Sequence, residues 1–320
     1  MNALVTGGAG FIGSHLVERL ASQGHAVTVL DDFNDFYDPR LKRANVARVR
    51  DEITLAEGDI RDGKAVNALF DKGRFDVVFH LAARAGIRPS IANARLYIDT
   101  NINGTFNLLE AARVHGLKRF IFASSSSVYG TITETPFRED MCIDQTISPY
   151  AATKLSGEQF CSNSARLYKI PCICLRFFTV YGPRQRPDLA IHKFTRSIFE
   201  GRPIEQYGDG TTRRDYTYVD DILEGLMACL TYDGPLFEIF NLGENKTTSL
   251  AELISLIEET LGKKAVIKRL PEQPGDVPLT YADISKARRL LHYQPTTPIK
   301  EGIPKFVEWF LHAGAPAMAT

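Results

Sequence analysis

The feature that most constrains the fold is a glycine-rich loop near the start of the chain. Residues 7–13 read Gly-Gly-Ala-Gly-Phe-Ile-Gly. An apolar run at residues 2–6 predicts a buried strand before the loop, and an amphipathic pattern to about Gln23 predicts a helix after it. In the dinucleotide-binding fingerprint, one glycine permits a tight turn, a second lets the backbone approach a pyrophosphate, and a third lets the helix pack close to the strand. Gly7, Gly10 and Gly13 hold these positions, and the helix N-terminus would face the phosphates.

The second predicted strand, residues 26–30, ends in two acids, Asp31 and Asp32. An acid about 20 residues after the glycines suits the ribose hydroxyls of a dinucleotide. No Arg follows directly, and two carboxylates would repel the 2′-phosphate of NADP. The sequence therefore favours NAD. A solvated acidic turn is the alternative interpretation of the same pair.

Apolar segments alternate with amphipathic helical patterns through the first half of the chain. Later strands are predicted at residues 54–58, 76–83, 120–123 and 171–180. This alternation predicts right-handed crossovers and a parallel sheet, in which ligands bind outside the carboxyl ends of the strands. The predicted strand ends carry the glycine loop, Asp31, Asp59, Ala82 and the serine run at residues 124–127. A linker is the alternative for the serine run, but a linker does not usually follow a buried strand directly.

The segment beginning at Ser148 carries a candidate catalytic pair. Ser148 suits an N-cap and Pro149 the first helical position, so a helix is predicted to start here. Tyr150 and Lys154 are then four residues apart on one helical face. A free Tyr titrates near pH ~10, and a Lys ammonium beside it would favour the phenolate and make it a general base. A purely structural pair at helical spacing is the alternative.

The charge composition of the chain indicates which kinds of partner it does not bind. The chain has 320 residues and a formal net charge of +0, from 38 basic and 38 acidic residues. This balance argues against nucleic acid or an anionic membrane as the main partner. No apolar run approaches the ~20 residues of a membrane span. A predicted strand begins at about Asn2, so we expect no signal peptide.

The five Cys residues include no C-x-x-C pair, and the seven His residues are scattered. We therefore expect no metal site and no disulfide framework, which fits a cytoplasmic protein. Cys172 and Cys174 alternate on an apolar run and are expected to point into the core from one face of a strand.

The density of Pro, Gly and Arg rises after the strand predicted at 171–180. We expect an NAD-binding domain at 1–178 and a smaller substrate-binding domain at 179–320, with about 215–247 returning to the first domain. Four arginines in this region are candidates for phosphate or carboxylate binding if they surround a cleft, and solvated surface charges otherwise. They are Arg184, Arg186, Arg213 and Arg214.

These motifs together resemble the extended short-chain dehydrogenases/reductases, and the similarity covers nearly the whole chain. The motifs are the glycine loop, the serine run before Val128-Tyr129-Gly130, and Tyr150-x-x-x-Lys154. The chain is most similar to nucleotide-sugar 4-epimerases, and among these to the type acting on UDP-glucuronate, through residues 31–45, 175–188 and 273–287. The resemblance implies an NAD-dependent isomerase with a Rossmann-type doubly wound parallel α/β sheet and a smaller α/β substrate domain.

The resemblance also implies roles for individual residues. Tyr150 is the implied base, Lys154 binds the nicotinamide ribose, and Ser125 shares the sugar hydroxyl. The implied cofactor-binding residues are Gly7, Gly10, Phe11, Ile12, Gly13, Asp31, Asp32, Asn34, Asp59, Ile60, Leu81, Ala82, Ala83, Asn101, Ser124, Tyr150, Lys154 and Phe178. The implied UDP-sugar-binding residues are Ser125, Ser126, Ser127, Arg88, Thr179, Arg186, Tyr207, Arg214 and Asp276.

Single positions separate the expected reaction from related ones. Nucleotide-sugar 4,6-dehydratases carry Asp-Glu where this chain has Ser126-Ser127, and UDP-glucuronate decarboxylases usually carry Glu at the second position. UDP-galactose-type epimerases usually have Asn at the place of Thr179 and often Arg at that of Gln273. The alternatives are a UDP-glucose or UDP-N-acetylglucosamine 4-epimerase, then a UDP-glucuronate decarboxylase. The last alternative is a non-enzymatic dinucleotide sensor, although such sensors typically lack the residue corresponding to Tyr150 or Lys154.

A 4-keto intermediate made from glucuronate is a β-keto acid, which can lose carbon dioxide. We expect the neutral hydroxyl groups of Ser126, Ser127 and Thr179 to hold the carboxylate and resist this loss. The family also uses helices at about 92–115 and 150–169 to form a homodimer through a four-helix bundle, so the resemblance implies that assembly too.

Overall fold

The computed structural model describes residues 1–271 and 277–314. Its strands are β1 (Asn2–Thr6), β2 (Ala26–Asp31), β3 (Ile53–Glu57), β4 (Val77–His80), β5 (Arg119–Ser125), β6 (Cys172–Phe177), β7 (Thr179–Tyr181), β8 (Ile204–Tyr207), β9 (Arg213–Arg214), β10 (Tyr216–Tyr218), β11 (Phe237–Leu242), β12 (Thr248–Ser249) and β13 (Ile267–Leu270). Its α-helices are α1 (Phe11–Ser22), α2 (Pro39–Ala47), α3 (Gly63–Gly73), α4 (Ile87–Ala92), α5 (Ala94–Tyr97), α6 (Gly104–Val114), α7 (Pro149–Tyr168), α8 (Ala190–Phe199), α9 (Val219–Ala228), α10 (Leu250–Leu261), α11 (Ser285–Leu291) and α12 (Ile299–Trp309).

Seven parallel strands form the central sheet, in the order β11-β6-β5-β4-β1-β2-β3. The predicted doubly wound parallel sheet is therefore confirmed. The chain winds outward from the β1–β4 pair in both directions, so the strand order reverses there. A buried contact joins the ends of these two strands, with Thr6 Oγ1 and His80 Nδ1 2.7 Å apart. Ligand clefts in such sheets form at this reversal.

The strand predicted at 171–180 is two strands. β6 lies in the central sheet, whereas β7 pairs in parallel with β10 in a separate two-stranded sheet. The Phe178 N–H donates to the Leu242 carbonyl at 3.1 Å, and the Thr179 N–H donates to the Asp215 carbonyl at 3.0 Å. The backbone thus changes its hydrogen-bonding partner between Phe178 and Thr179. β11 then lies at the edge of the central sheet beside β6.

The helical region expected at about 92–115 consists, with the turns that lead into it, of four pieces. α4 and α5 are short, a π-helical turn covers Ile98–Asn103, and α6 follows directly. A π-helical turn inserts an extra residue into the helix and is frequent at functional sites. Here the turn carries Asn101, whose side chain contacts both the segment after β4 and helix α7.

Apolar side chains cover both faces of the central sheet. Leu4 and Phe120 pack on one face, and Val5 and Ile121 on the other, which follows the two-residue period of strands. Among the cysteines, all of them free, Cys142 is exposed, and the buried ones are Cys161, Cys172, Cys174 and Cys229. In the described ranges, no helix combines the length and apolar character that a membrane crossing requires.

Candidate active site

A cavity of ≈ 360 Å³ lies at the carboxyl ends of the central strands, and the glycine loop forms one wall. Gly7 has φ +69°, and a Cβ there would lie 2.8 Å from the backbone of Ala82. A Cβ on Gly13 would lie 2.2 Å from the Gly7 carbonyl oxygen. Both positions therefore require glycine, the first for its backbone conformation and close packing, the second for close packing alone.

Helix α1 begins beside this wall. Its N-cap is Gly10, whose lack of a side chain leaves the N–H groups of the first turn without a side-chain cap. Gly10, Phe11, Ile12 and Gly13 all line the cavity. A helix N-terminus with uncapped N–H groups suits an anion such as a pyrophosphate, so these residues fit the phosphate half of a dinucleotide.

Acidic and basic groups meet beside the glycine loop in the same cavity. The buried Asp31 carboxylate accepts hydrogen bonds from the N–H groups of Ala9 at 3.1 Å and Phe33 at 3.0 Å. Lys42 Nζ lies 3.7 Å from Asp31 and 3.8 Å from Asp32. Burial raises the pKa of Asp31, and the Lys42 charge opposes this rise. An acid held in this way, with Lys42 beside it, can face ribose hydroxyls.

Helix α7 carries the candidate catalytic pair into the cavity. Ser148 is its N-cap, accepting a hydrogen bond from the Ala151 N–H at 3.2 Å, and Pro149 is its first residue. Both Tyr150 and Lys154 line the cavity. Lys154 Nζ donates to the Ala123 carbonyl at 2.7 Å, and burial lowers the pKa of this ammonium to about 8.

The pKa of the Tyr150 phenol responds to neighbours other than Lys154. Burial raises it, and the hydrogen bond to Ser125 and the charge of Arg186 lower it. From the sequence, we expected the Lys154 ammonium to lower this pKa. In the structure, the Lys154 ammonium is instead directed at the Ala123 carbonyl of β5, 2.7 Å away. The serine hydroxyl and a guanidinium from the segment after β7 are the groups that favour the phenolate.

The serine run divides into three environments. The buried Ser124 hydroxyl donates to Glu158 Oε1 at 2.5 Å. Ser125 ends β5, lines the cavity and accepts the Ser127 N–H at 3.2 Å, with the two hydroxyl oxygens 2.9 Å apart. Ser126 and Ser127 begin a 3₁₀ turn and are not among the lining residues that the described part of the chain provides.

Every residue predicted for cofactor binding lines this cavity except Asn101. The Asn101 side chain accepts the Arg84 N–H at 2.8 Å and donates to the Arg84 carbonyl at 2.9 Å and to Thr153 Oγ1 at 3.0 Å. These three bonds hold the segment after β4 against α7. The Asn101 amide thus fixes the segment that directly follows Ala82 and Ala83 of the cavity wall.

The predicted substrate residues are more dispersed. Ser125, Thr179 and Arg186 line the cavity. The Arg88 guanidinium lies over the Tyr207 ring, 4.6 Å from its centroid, and Arg214 Nη1 donates to the Arg213 carbonyl at 2.9 Å. None of these last three predicted residues, Arg88, Tyr207 and Arg214, lines the cavity formed by the described residues. Asp276, like Gln273, lies outside the described ranges.

The arginines considered as an anion-binding cluster have separate partners. Arg186 binds Asp188 through two hydrogen bonds, of 2.9 and 2.7 Å, at the cavity wall. Arg184 points to α1, where it pairs with Glu18 at 2.7 Å. Arg213 donates to Thr247 Oγ1 at 2.9 Å. Of the four, Arg186 is the one that lines the described cavity, so the four arginines do not surround this cavity together.

Four charged or polar lining residues were missed from the sequence: Lys42, Arg84, Tyr37 and Thr100. Lys42 is buried against Asp31 and Asp32, and Arg84 Nη1 donates to Asn34 Oδ1 at 3.1 Å. Nothing in the sequence distinguishes Lys42 from the other basic residues of α2. Arg84 directly follows Leu81-Ala82-Ala83 at a strand end, and this adjacency could have identified it.

Comparisons with known proteins find chains that are similar to this one in sequence and in fold. The family model described as GDP-mannose 4,6 dehydratase matches residues 4–306. A UDP-glucuronate 4-epimerase of Thermodesulfobacterium geofontis is 43% identical over 309 residues, covering 96% of this chain and 95% of the relative. The crystal structure of UDP-glucuronic acid 4-epimerase from Bacillus cereus, in complex with UDP-glucuronic acid and NAD, superposes with TM-score 0.92 at 38% identity, covering 97% and 99% of the two chains. A Thermus thermophilus UDP-glucose 4-epimerase, in complex with NAD, gives 0.89 at 32% identity, covering 98% and 100%.

Proposed function

Because the chain belongs to the GDP-mannose 4,6 dehydratase family of extended short-chain dehydrogenases/reductases, we propose that it is an NAD-dependent UDP-glucuronate 4-epimerase. It interconverts UDP-glucuronate and UDP-galacturonate through a 4-keto sugar. The observation that carries this proposal is that Tyr150, Lys154 and Ser125 line the same cavity as the glycine loop.

The cavity residues fit the cofactor that the related structures contain. The uncapped first turn of α1 would hold the pyrophosphate, Asp31 the adenosine ribose, and Lys154 the nicotinamide ribose. When bound, NAD⁺ supplies the acceptor and then the donor of a hydride at carbon 4 of the sugar. Net oxidation is zero, so a cavity that retains its cofactor serves the reaction.

Tyr150 moves the proton in this scheme. As the phenolate it takes the proton of the sugar 4-hydroxyl, while the single proton of Ser125 is hydrogen-bonded to the Tyr150 oxygen. The keto sugar then turns about its diphosphate link and presents its opposite face. Tyr150 returns the proton to the new hydroxyl. The hydrogen bond from Ser125 and the Arg186 charge both favour the phenolate that this cycle needs.

The sugar and nucleotide contacts are proposed as the resemblance implies. Arg186 is the candidate for the diphosphate, because its planar guanidinium lies at the cavity wall. Arg88, Tyr207, Arg214 and Asp276 are the candidates for the rest of the UDP group. Thr179, also at the wall, and Ser126 are candidates for the glucuronate carboxylate. A 4,6-dehydratase would need an acid and a base at 126–127, where this chain has two serines.

The first test is incubation of the purified protein with UDP-glucuronate, without added cofactor, followed by proton NMR. UDP-galacturonate is the expected product and would show that NAD⁺ is retained. A UDP-pentose would mean decarboxylation instead. No product with UDP-glucuronate, but turnover of UDP-glucose or UDP-N-acetylglucosamine, would favour the neutral-sugar epimerase. If none of these UDP-sugars is converted even with NAD⁺ added, the non-enzymatic dinucleotide sensor is the remaining alternative.

Tyr150→Phe is the matched variant for this experiment. It removes only the phenolic oxygen, so UDP-glucuronate should still bind while epimerisation falls by at least 10²-fold, the scale of a lost general base. Calorimetric titration measures binding, and NMR measures turnover. Retained turnover in Tyr150→Phe would exclude Tyr150 as the base.

The remaining expectations complete the proposal. We divide the chain into an NAD-binding domain, residues 1–178 with 215–247, and a substrate domain in the rest of 179–320. We place the protein in the cytoplasm, where free thiols such as those of this chain stay reduced. We also propose a homodimer through a four-helix bundle of α6, α7 and their copies, because apolar side chains are exposed along both helices.

A further inference from the structure

Ser125 has an unusual pair of contacts, both made with one residue. Its Oγ accepts the backbone N–H of Ser127 at 3.2 Å, as the N-cap of the 3₁₀ turn Ser126–Tyr129. The Ser127 hydroxyl oxygen lies 2.9 Å from the same Ser125 oxygen. The backbone contact forms the turn, but the second contact is not needed for it.

The hydrogen-bonding capacity of a serine hydroxyl shows what the second contact does. Such a group has one proton to donate and two lone pairs to accept with. The Ser127 N–H occupies one lone pair of Ser125. Ser125 and Tyr150 meet at the cavity wall and are hydrogen-bonded. A phenolate can only accept, so Ser125 must direct its single proton to Tyr150 when Tyr150 is ionised. The Ser127 hydroxyl must then donate to the second lone pair of Ser125.

We propose that Ser127 is a positioning residue that orients the Ser125 hydroxyl as a donor to the Tyr150 oxygen. The inference rests on the proposed role of Tyr150 as the base. In a chain of hydroxyl groups each hydrogen bond polarises the next, so the Ser127 donor strengthens the bond from Ser125 to the phenolate.

In this role, the Ser127 hydroxyl does not contact the glucuronate carboxylate. A hydroxyl has one proton, and the Ser127 proton is directed to Ser125 whenever the phenolate is present. Ser127 also does not line the described cavity, whereas Thr179 does. We therefore separate Ser127, which acts on the base, from the residues proposed to hold the substrate.

The test measures the ionisation of Tyr150 directly in the purified protein without sugar. The ultraviolet absorbance of tyrosinate is titrated against pH in each variant, and the titration of the same variant carrying Tyr150→Phe is subtracted. Ser127→Ala keeps the backbone N–H but loses the hydroxyl. Its Tyr150 pKa should rise by about 0.5–1 unit, the scale of one hydrogen bond. The acid limb of the kcat profile should move upward by the same amount.

Two further variants control for structure. Ser127→Thr restores the hydroxyl and should restore the pKa. Ser156→Ala makes the same change on helix α7, where the hydroxyl donates to the Ala152 carbonyl at 2.8 Å, and should leave the pKa unchanged. If Ser127→Ala does not fold, Ser127→Cys provides a weak donor in its place, and a smaller rise is expected.

An unchanged Tyr150 pKa in Ser127→Ala, or in Ser127→Cys if that variant must be used, would overturn the proposal. If the pKa is unchanged and the variant also forms UDP-pentose from UDP-glucuronate, the proposal is overturned. Ser127 would then be assigned to binding of the glucuronate carboxylate. The titration needs no turnover. If the wild-type protein fails to epimerise but its Tyr150 pKa depends on Ser127, the proposed function fails and the positioning role stands.

Discussion

Glu244 is a buried acid just after β11. It is 7% exposed, and its Oε2 has no hydrogen-bond partner within the described residues, while Lys246 Nζ lies 4.0 Å from Oε1. The pKa of Glu244 is raised to about 7, first by burial and then by the charge of Asp221, with Lys246 opposing. The fold therefore favours the protonated form of this side chain.

A pH dependence of stability follows from the raised pKa. An unfolded Glu titrates near ~4.3, so the unfolded state loses its proton first as pH rises. The Glu244 contribution is complete below about pH 4.3 and is lost as pH rises to about 7. Glu244→Gln stays neutral and should stabilise the protein at pH 8 by about 1–3 kcal/mol, with little effect near pH 4. Urea unfolding at both pH values measures this, with exposed Asp51→Asn as the control. Equal effects of Glu244→Gln at both pH values would contradict it.

Residue-scale prediction from sequence succeeded where neighbours along the chain carry the information. Gly7 is required by its positive φ, and Gly13 by its close packing on the Gly7 carbonyl, and both constraints lie within one strand–loop–helix unit. Lys42, which was missed, depends instead on which distant segments the fold brings to the cavity. The partners of Asn101 were likewise not predictable, because its amide is hydrogen-bonded to Arg84 and Thr153, which are far from it in sequence.

Helix α7 is held to the central sheet by a buried ion pair. Arg176 of β6 binds both carboxylate oxygens of Glu158, at 2.9 and 2.8 Å, and their side chains are 3% and 1% exposed. The Ser124 hydroxyl of β5 donates to the same carboxylate at 2.5 Å. Glu158 lies one helical turn beyond Lys154, so the pair joins the catalytic helix to the two strands that end at the cavity.

Removing one partner of this ion pair should lower the free energy of unfolding. Arg176→Met leaves a buried carboxylate without its cation and should destabilise the protein by about 3–5 kcal/mol. Arg176→Met combined with Glu158→Leu removes both charges and should be more stable than Arg176→Met alone. Urea unfolding of both variants measures the difference. If the double variant is less stable than the single one, the charges are not coupled as described.

The element boundaries that sequence analysis missed have physical causes. The strand predicted at 171–180 is apolar throughout, and its pattern does not show that the hydrogen-bonding partner changes from Leu242 to Asp215 after Phe178. The π-helical turn at Ile98–Asn103 is likewise invisible to a helical period, since one extra residue barely alters the apolar pattern. The N-cap of α7 was predictable because Ser148 and Pro149 act locally.

At the scale of the whole molecule, α6 and α7 present exposed apolar side chains. Phe106 and Val114 of α6 are 47% and 60% exposed, and Leu167 and Tyr168 of α7 are 64% and 50% exposed. The Phe106 and Phe160 rings meet edge to face, with centroids 5.9 Å apart, so the two helices form a continuous surface. Exposed apolar residues concentrated on adjoining helices are typical of an interface.

The proposed homodimer predicts the effect of charges on this surface. Phe106→Glu with Leu167→Glu should convert the protein to a monomer, because a dimer would bury four unpaired carboxylates. Size-exclusion chromatography with light scattering should give twice the 35.7 kDa chain mass for the wild type and once that mass for the variant. Leu236→Glu, at an exposed apolar position outside these helices, is the control. A wild-type protein that elutes with the mass of one chain would exclude the dimer.

The distribution of the thiols makes the native chain convenient for fluorescence. Cys142 is exposed and the other four cysteines are buried, so a maleimide dye should attach at one place without any engineering. The charge and hydrogen bond of Asp144 raise the pKa of the Cys142 thiol, so coupling should be faster in mildly alkaline buffer. Cys142 precedes α7 by a few residues, and a dye there would report on the segment leading to the catalytic helix as ligands bind.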